Sequence, residues 1–238
     1  MLDLNKIYCM DCLDGMREIP DNSIDCIITD PPFAFTGGIS NGSSSNISSQ
    51  FFLHWWRDVC RELTRILKPD AEGFIWCDWK TAAIIQDGFT VKKQTYDVFR
   101  VSQMLYHYRE MPGQGNPFRS SVDMIAYLRG PKSTGERISR DTHNFISKYW
   151  YYGKHDNHPS EKDPQMGTKL LEWCSDKEDV MIDPFCGGGS FCIAAKETGR
   201  YFIGMDLDED FTKIAQSRCD LINPITKDSR NWFEDISI

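Results

Sequence analysis

Val180-Met181-Ile182-Asp183-Pro184-Phe185-Cys186-Gly187-Gly188-Gly189-Ser190 joins a short apolar run to a glycine-rich turn, and the turn to a segment of helical spacing over residues 191–198. An uninterrupted apolar run bounded by turn residues reads as a strand buried on both faces. Glycines in the turn let a ligand approach backbone N–H groups, and the helix that opens after it favours an anion at its N-terminus. The turn is not a Walker loop, since no Gly-Lys-Ser/Thr follows, and not a dinucleotide GxGxxG. The next apolar run, Tyr201-Phe202-Ile203-Gly204-Met205, ends in Asp206, 23 residues after Asp183. An acidic residue about 20 positions beyond such a loop is placed to accept hydrogen bonds from ribose hydroxyls.

A second strand and turn lie about 150 residues upstream. Residues 23–29 are nearly all apolar and run directly into Asp30-Pro31-Pro32-Phe33. An exocyclic amino group on a nucleobase is a poor nucleophile, because its lone pair is delocalised into the ring. A carboxylate and a backbone carbonyl that accept its two hydrogens hold the nitrogen pyramidal and stabilise the charge that grows on it. Asp30 and the Pro31 carbonyl can supply that pair. Successive prolines make the turn rigid, and Phe33 can stack on a base flipped out of a duplex.

Between and around these turns, apolar patterning predicts strands at 6–9, 73–77, 96–108 and 122–128. It predicts helices at 11–19, 51–67, 81–86, 168–174 and 209–221. Strands alternating with helices imply an α/β domain with a mostly parallel, Rossmann-like sheet covered on both faces. Residues 34–50, AFTGGISNGSSSNISSQ, form a polar segment too long for an ordinary connection. Its place after Asp30-Pro31-Pro32-Phe33 suggests a mobile loop that closes over substrate; the alternative is a surface insertion without a role. All 238 residues read as one domain.

The net charge of −8 is unevenly spread. Residues 92–154 carry 11 Lys and Arg against 5 Asp and Glu, and the remainder 16 against 30. The middle third is therefore the candidate surface for a polyanion, with an ordinary mixed surface as the alternative. Residues 129–157, which overlap it, carry Lys132, Arg137, Arg140, Lys148 and Lys154, the candidates for phosphate contact. Tyr149-Trp150-Tyr151-Tyr152 either stack on bases or pack that segment. Nine cysteines at scattered positions favour reduced thiols. Cys9-Met10-Asp11-Cys12 is a lone CxxC, a weak metal signal beside the reading of Cys9 as the end of a buried strand, and no metal is expected. No run of 18 apolar residues and no basic, apolar leader is present, so a cytoplasmic protein without a membrane anchor is expected.

Asp30-Pro31-Pro32-Phe33 matches the [D/N/S]-P-P-[Y/F/W] motif, and with the Asp183 turn it resembles the adenine-N6 and cytosine-N4 DNA methyltransferases. The order, catalytic motif first and cofactor turn last, resembles their beta group, whose motifs are circularly permuted. The resemblance covers residues 6–223, and the chain looks like a short phage- or prophage-type member. It implies S-adenosylmethionine as methyl donor and double-stranded DNA as substrate. By this likeness Asp183, Phe185, Cys186, Gly187, Gly189 and Ser190 line the cofactor, Asp206 holds its ribose, and Asp11 and Cys12 meet its adenine. His158-Pro159-Ser160-Glu161-Lys162 resembles a segment that puts His158 and Lys162 beside the cofactor, and Asp30 is counted among the cofactor-binding residues as well. The likeness also makes residues 129–157 a small target-recognition insertion. The family usually sets a proline straight after that lysine; here Asp163 to Gly167 intervene. The Asp form of the catalytic motif leans to adenine, with cytosine N4 as the alternative and an inactive DNA-binding subunit as a rival. Phe33 keeps the stacking of the commoner Tyr and loses its hydroxyl. The small basic region leaves room for a homodimer.

Overall fold

The computed structural model describes residues 2–33, 49–89, 98–109, 117–146 and 162–222. In chain order the elements are β1 (Lys6–Cys9), α1 (Cys12–Arg17), β2 (Ile24–Thr29), α2 (Ser49–Ile66), β3 (Leu67–Cys77), α3 (Thr81–Phe89) and β4 (Arg100–Tyr108). They continue with β5 (Val122–Arg129), β6 (Phe145–Ile146), α4 (Pro164–Cys174), β7 (Val180–Asp183), α5 (Ser190–Glu197), β8 (Tyr201–Asp206) and α6 (Glu209–Asp220).

The strands form one sheet in the order β1-β8-β7-β2-β3-β5-β4-β6. The five from β1 to β3 are parallel, and β5 runs antiparallel between β3 and β4. The apolar runs that announced β2, β7 and β8 are buried almost throughout, as both-face coverage requires. One core packs the sheet against α1, α2 and α3 through Met16, Trp56, Val59 and Leu63. The other packs it against α4 and α5 through Leu170, Leu171, Phe191 and Ala194, with Cys219 of α6 at its edge. The chain leaves β2 for β3 through α2 on one face and leaves β7 for β8 through α5 on the other. The adjacent carboxyl ends of β2 and β7 are therefore the topological switch point, where open α/β sheets bind ligands.

Four expectations change. The helix expected from residue 168 begins at Pro164, because the Asp163 carboxylate caps it by accepting the Gln165 N–H at 2.8 Å and Pro164 fills its first turn. Only Asp163 then separates Lys162 from the proline that opens the helix. The strand expected at 73–77 starts at Leu67, immediately after α2, in register with Ile24 of β2. Cys9 is exposed rather than buried, since β1 is an edge strand paired on one side alone. A two-residue strand, β6, pairs with β4 inside the segment read as irregular. The segment expected as a loop at 34–50 lies outside the described residues over 34–48, and its last two residues open α2 instead. The 147–161 stretch, with Lys148, Tyr149 to Tyr152, Lys154 and His158, also lies outside the described residues. No helix among the described residues is long and apolar enough to cross a membrane.

Candidate active site

Two strand tips build the centre of the site. Pairing of Ile27 with Ile182 brings the ends of β2 and β7 level. The Thr29 hydroxyl donates to Asp183 Oδ1 at 2.7 Å, and the Phe185 N–H approaches the same oxygen at 3.2 Å. Asp183 is buried. Burial pushes its carboxyl up to about 7; the Thr29 and Phe185 hydrogen bonds oppose the shift, and the charges of Asp30 and Asp206 add to it.

Asp30 follows directly on β2. Lys162, on the approach to α4, places its ammonium 2.5 Å from Asp30 Oδ2. Asp30 Oδ1 is buried and has no hydrogen-bond partner among the described residues. An acceptor left open in this way costs stability unless a ligand completes it. Pro31 is buried, Pro32 exposed and Phe33 half-buried.

The glycine turn is tied down from three sides. Asp206 accepts the Gly187 N–H at 2.9 Å on one carboxylate oxygen and the Asp208 N–H at 3.0 Å on the other. The Cys186 N–H bonds the Met205 carbonyl, and Arg218 of α6 donates to the Gly188 carbonyl at 2.6 Å. Gly187 and Gly189 take left-handed backbone, at φ 46° and 82°. A side chain at Gly189 would also meet Ala215 of α6 at 2.8 Å. Asp206 sits beside Cys9 at the tip of β1, and its carbonyl accepts the Met10 N–H at 2.9 Å. That brings Asp11 and Cys12 to the same end of the sheet. Asp11 caps α1 by accepting the Leu13 N–H at 2.8 Å. Burial, helped by the Asp11 charge, pushes the Cys12 thiol up to about 12, so it presents an uncharged wall.

The residues read from the sequence at the two turns thus converge: Asp11, Cys12, Asp30, Lys162, Asp183, Phe185, Gly187 and Asp206. The basic candidates do not. The Lys132 N–H bonds the Pro69 carbonyl, and Arg137 pairs with Asp176 at 2.7 Å. Both lie toward the amino ends of the parallel strands, away from Asp30. Arg140 is exposed and lines a shallow cleft with Arg129, His143 and Trp173.

Several neighbours were missed. Trp55 of α2, which belongs to the apolar 3/4 spacing that marks this helix, has its ring centroid 5.6 Å from that of Phe185. Asp123 and His107 look like ordinary strand residues in sequence, and only the β4–β5 register carries them to this edge. At the same edge, Trp79 and Phe118 are exposed, Trp79 carries Lys80 over its ring, and Arg119 adjoins Phe118. Their one sequence signal is an aromatic next to a basic residue just outside a strand.

A family model described as a DNA methylase, of the N6/N4 type, matches residues 24–217. This chain is an N6/N4 DNA methylase. Among relatives, YubD of Escherichia coli (strain K12) is 27% identical over 220 residues, 87% of either chain. The type II methyltransferase M.HpaI of Haemophilus parainfluenzae is 22% identical over 236 residues, covering 90% of this chain and 74% of the relative. The fold is also that of the PvuII DNA methyltransferase (cytosine-N4-specific), with a TM-score of 0.68 at 16% identity over 96% of this chain and 89% of that one. A complex of M1.HpyAVI with S-adenosylmethionine gives a TM-score of 0.66 at 18% identity over 90% and 98%.

The methylase uses S-adenosylmethionine, and its residues suit that donor. The buried carboxylate of Asp183, the Asp206 carboxylate on the adjacent strand and a turn free of side chains at Gly187 and Gly189 can meet its ammonium, its ribose and its backbone-facing edge. The class of the reaction, methyl transfer to an exocyclic amino group of DNA, follows from the family.

Proposed function

We propose that this methylase modifies the N6 amino group of adenine within a specific duplex sequence. The observation that carries the reading is the Asp30 carboxylate, with Oδ2 engaged by Lys162 and buried Oδ1 without a hydrogen-bond partner among the described residues. Bound S-adenosylmethionine supplies an electrophilic methyl group. Asp30 Oδ1 and the Pro31 carbonyl accept the two amino hydrogens and so direct the nitrogen lone pair out of the ring plane. Phe33 stacks on the flipped base. Asp183 faces the donor's ammonium, Phe185 and Trp55 wall its sulfonium side, and Asp206 takes the ribose.

An aspartate at the head of the tetrapeptide supports adenine. The same two acceptors would also hold the N4 amino group of cytosine, which is the second reading. The order of the two turns supports placement in the beta group. Phosphate contacts are assigned to Arg140, Lys148 and Lys154, and to Lys80 and Arg119 beside the exposed Trp79 and Phe118 at the catalytic edge. A companion restriction nuclease and action as a homodimer are compatible with this reading.

The test is expression in bacteria that lack endogenous DNA methylation, followed by genome-wide mapping of modified bases and mass spectrometry of digested DNA. N6-methyladenine at one recurring sequence is expected. N4-methylcytosine alone would replace the first reading by the second, and no modified base would overturn both.

A further inference from the structure

The end of the sheet that holds Asp30 is also where large apolar side chains meet water. Among the described residues, Phe51 at the start of α2, Trp79 just past β3, Phe118 ahead of β5 and Leu207 just past β8 are exposed there. Apolar residues exposed singly need no explanation, but several on one face mark a contact surface. On its β3–β5 side Lys80 follows Trp79 and Arg119 follows Phe118, and both cations are exposed. Aromatic rings beside positive charge suit a polyanion with flat bases, and DNA is the substrate of the family.

Strand register sets how far each ring reaches. Thr29 of β2 is level with Ile75 of β3, and Ile75 with Ala126 of β5. Asp30 is therefore level with Trp76 and Ile125. Trp79 lies three residues past that level and Phe118 seven. Phe118 is also the more exposed, at 87% against 74%. The chain beneath it is pinned. Past Tyr108 and Val122, the last pair of the β4–β5 ladder, the Arg109 N–H donates to the Ser121 carbonyl at 2.8 Å. The Arg109 guanidinium donates to the Ser120 carbonyl at 3.0 Å, and the Ser120 hydroxyl to the Val122 carbonyl at 2.9 Å. Arg109 Nε also lies 3.3 Å from Asp123 Oδ1, and buried His107 stands 3.8 Å from Oδ2. The strand pair thus holds an aromatic ring outward, beyond the level of the catalytic carboxylate.

We propose that Phe118 is a wedge that enters the base stack beside the target nucleotide and fills the gap left when that base swings out to Asp30, an inference that rests on the function proposed above. Flipping a base breaks its pair and its stacking before any methyl group moves. An apolar ring pushed between base steps restores part of the stacking that the duplex lost. Phe118 makes and breaks no bond; it shifts the flipping equilibrium toward the extrahelical base. Arg119 and Lys80 supply charge for the phosphates on either side of the gap. The plainer role, an exposed ring in an ordinary turn, predicts no change of rate when the ring is removed.

The test uses the full-length protein, the recognition sequence returned by genome-wide mapping, and two duplexes that carry it. In one the target base is paired, and in the other it is mismatched and so easier to flip. Single-turnover methyl transfer is followed at saturating S-adenosylmethionine. Phe118→Ala should slow transfer to the paired duplex by about 10- to 100-fold, the scale of one lost base–aromatic stack. On the mismatched duplex it should stay within about threefold of the parent, because little unstacking remains to be offset. An unchanged melting temperature for so exposed a side chain should show that the fold is intact. A rate on the paired duplex within about twofold of the parent, or equal losses on the two duplexes, would overturn the proposal. So would a second copy of the chain as the occupant of this surface, seen as a Phe118→Ala protein that sediments as a smaller species than the parent. If the parent protein methylates no DNA, the proposed function and this inference fall together. An active parent whose Phe118→Ala variant loses nothing, or loses equally on both duplexes, removes the inference alone.

Discussion

The five parallel strands and the three-strand antiparallel edge share β3 and the two cores that cover the sheet, yet they hold their functional residues by different means. In the parallel half each candidate stands at a strand tip: Asp30 after β2 and Asp183 at the end of β7, in turns marked by prolines or glycines, and Asp206 at the end of β8. Backbone amides and the Thr29 hydroxyl fix the carboxylates of Asp183 and Asp206, and Lys162 engages that of Asp30. In the antiparallel half, His107 and Asp123 lie within strands, are aligned by register and are held by charge. A tip in a parallel sheet is placed by local chain geometry, whereas a residue in a strand pair is placed by its partner strand. Changes in the first region should therefore remove a chemical step or the fold beneath it, and changes in the second should tune.

The largest effect is expected at Asp30. Asp30→Asn presents N–H groups to the amino hydrogens and should slow methyl transfer by about 10³-fold, with DNA affinity retained. Radiolabelled methyl incorporation measures the rate, and a loss under tenfold would remove Asp30 from the centre of the parallel half.

Next comes the seam on which that half depends. A Cβ at Gly73 of β3 would sit 2.3 Å from the Ile27 carbonyl oxygen, a backbone atom in the middle of the sheet. Gly73→Ala should cost about 3 kcal/mol, on the order of 10 °C in melting temperature. At Gly135, beyond the antiparallel edge, the same change meets only the flexible Arg129 guanidinium, although φ is +69°. There roughly 1 kcal/mol of backbone strain is expected. Equal losses at both sites would erase the contrast between the halves.

A third difference is one of pH. The Asp183 carboxyl, raised to about 7 by burial and by its acidic neighbours, is mostly protonated at pH 6 and ionised at pH 8. Pairing with the donor's ammonium requires the ionised form, so binding releases a proton. Calorimetry should show S-adenosylmethionine affinity falling about tenfold from pH 8 to pH 6, a limb that Asp183→Asn flattens. In the unliganded protein the sign is opposite. Stability contributed by Asp183 is present below the ordinary carboxylate range and is lost as pH rises through about 7. An affinity independent of pH would detach Asp183 from the donor.

The smallest effects separate the basic residues. Arg140→Ala should lower the salt dependence of DNA binding by about one phosphate contact. Arg137→Ala should leave it unchanged, because its guanidinium pairs with Asp176 toward the opposite end of the sheet. A matching loss at Arg137 would put the DNA on a different face from the one proposed.

How much was legible follows the same division. A mostly apolar stretch of six residues and an apolar run of three identified β2 and β7, and the turns after them identified the site, because a both-face-buried strand and a rigid turn are written in adjacent residues. The basic stretch did not tell that Lys132 and Arg137 lie away from Asp30, since composition counts charges without saying which end of a strand they reach. Trp55 was hidden because the spacing that packs a helix on a core is the same spacing that presents one ring to a ligand turn. The helix after Lys162 was read four residues late, its cap and proline being taken for a connection.

By itself, the sequence determined the fold class, the two turns and their order along the chain, since each is a property of neighbouring residues. Only the tertiary structure decided that Thr29 would meet Asp183 and that Lys162 would close on Asp30. It alone brought Asp123 and His107 to the same edge. Those contacts join residues far apart in the chain, and strand register, a property of the whole sheet, sets which of them come within hydrogen-bonding distance.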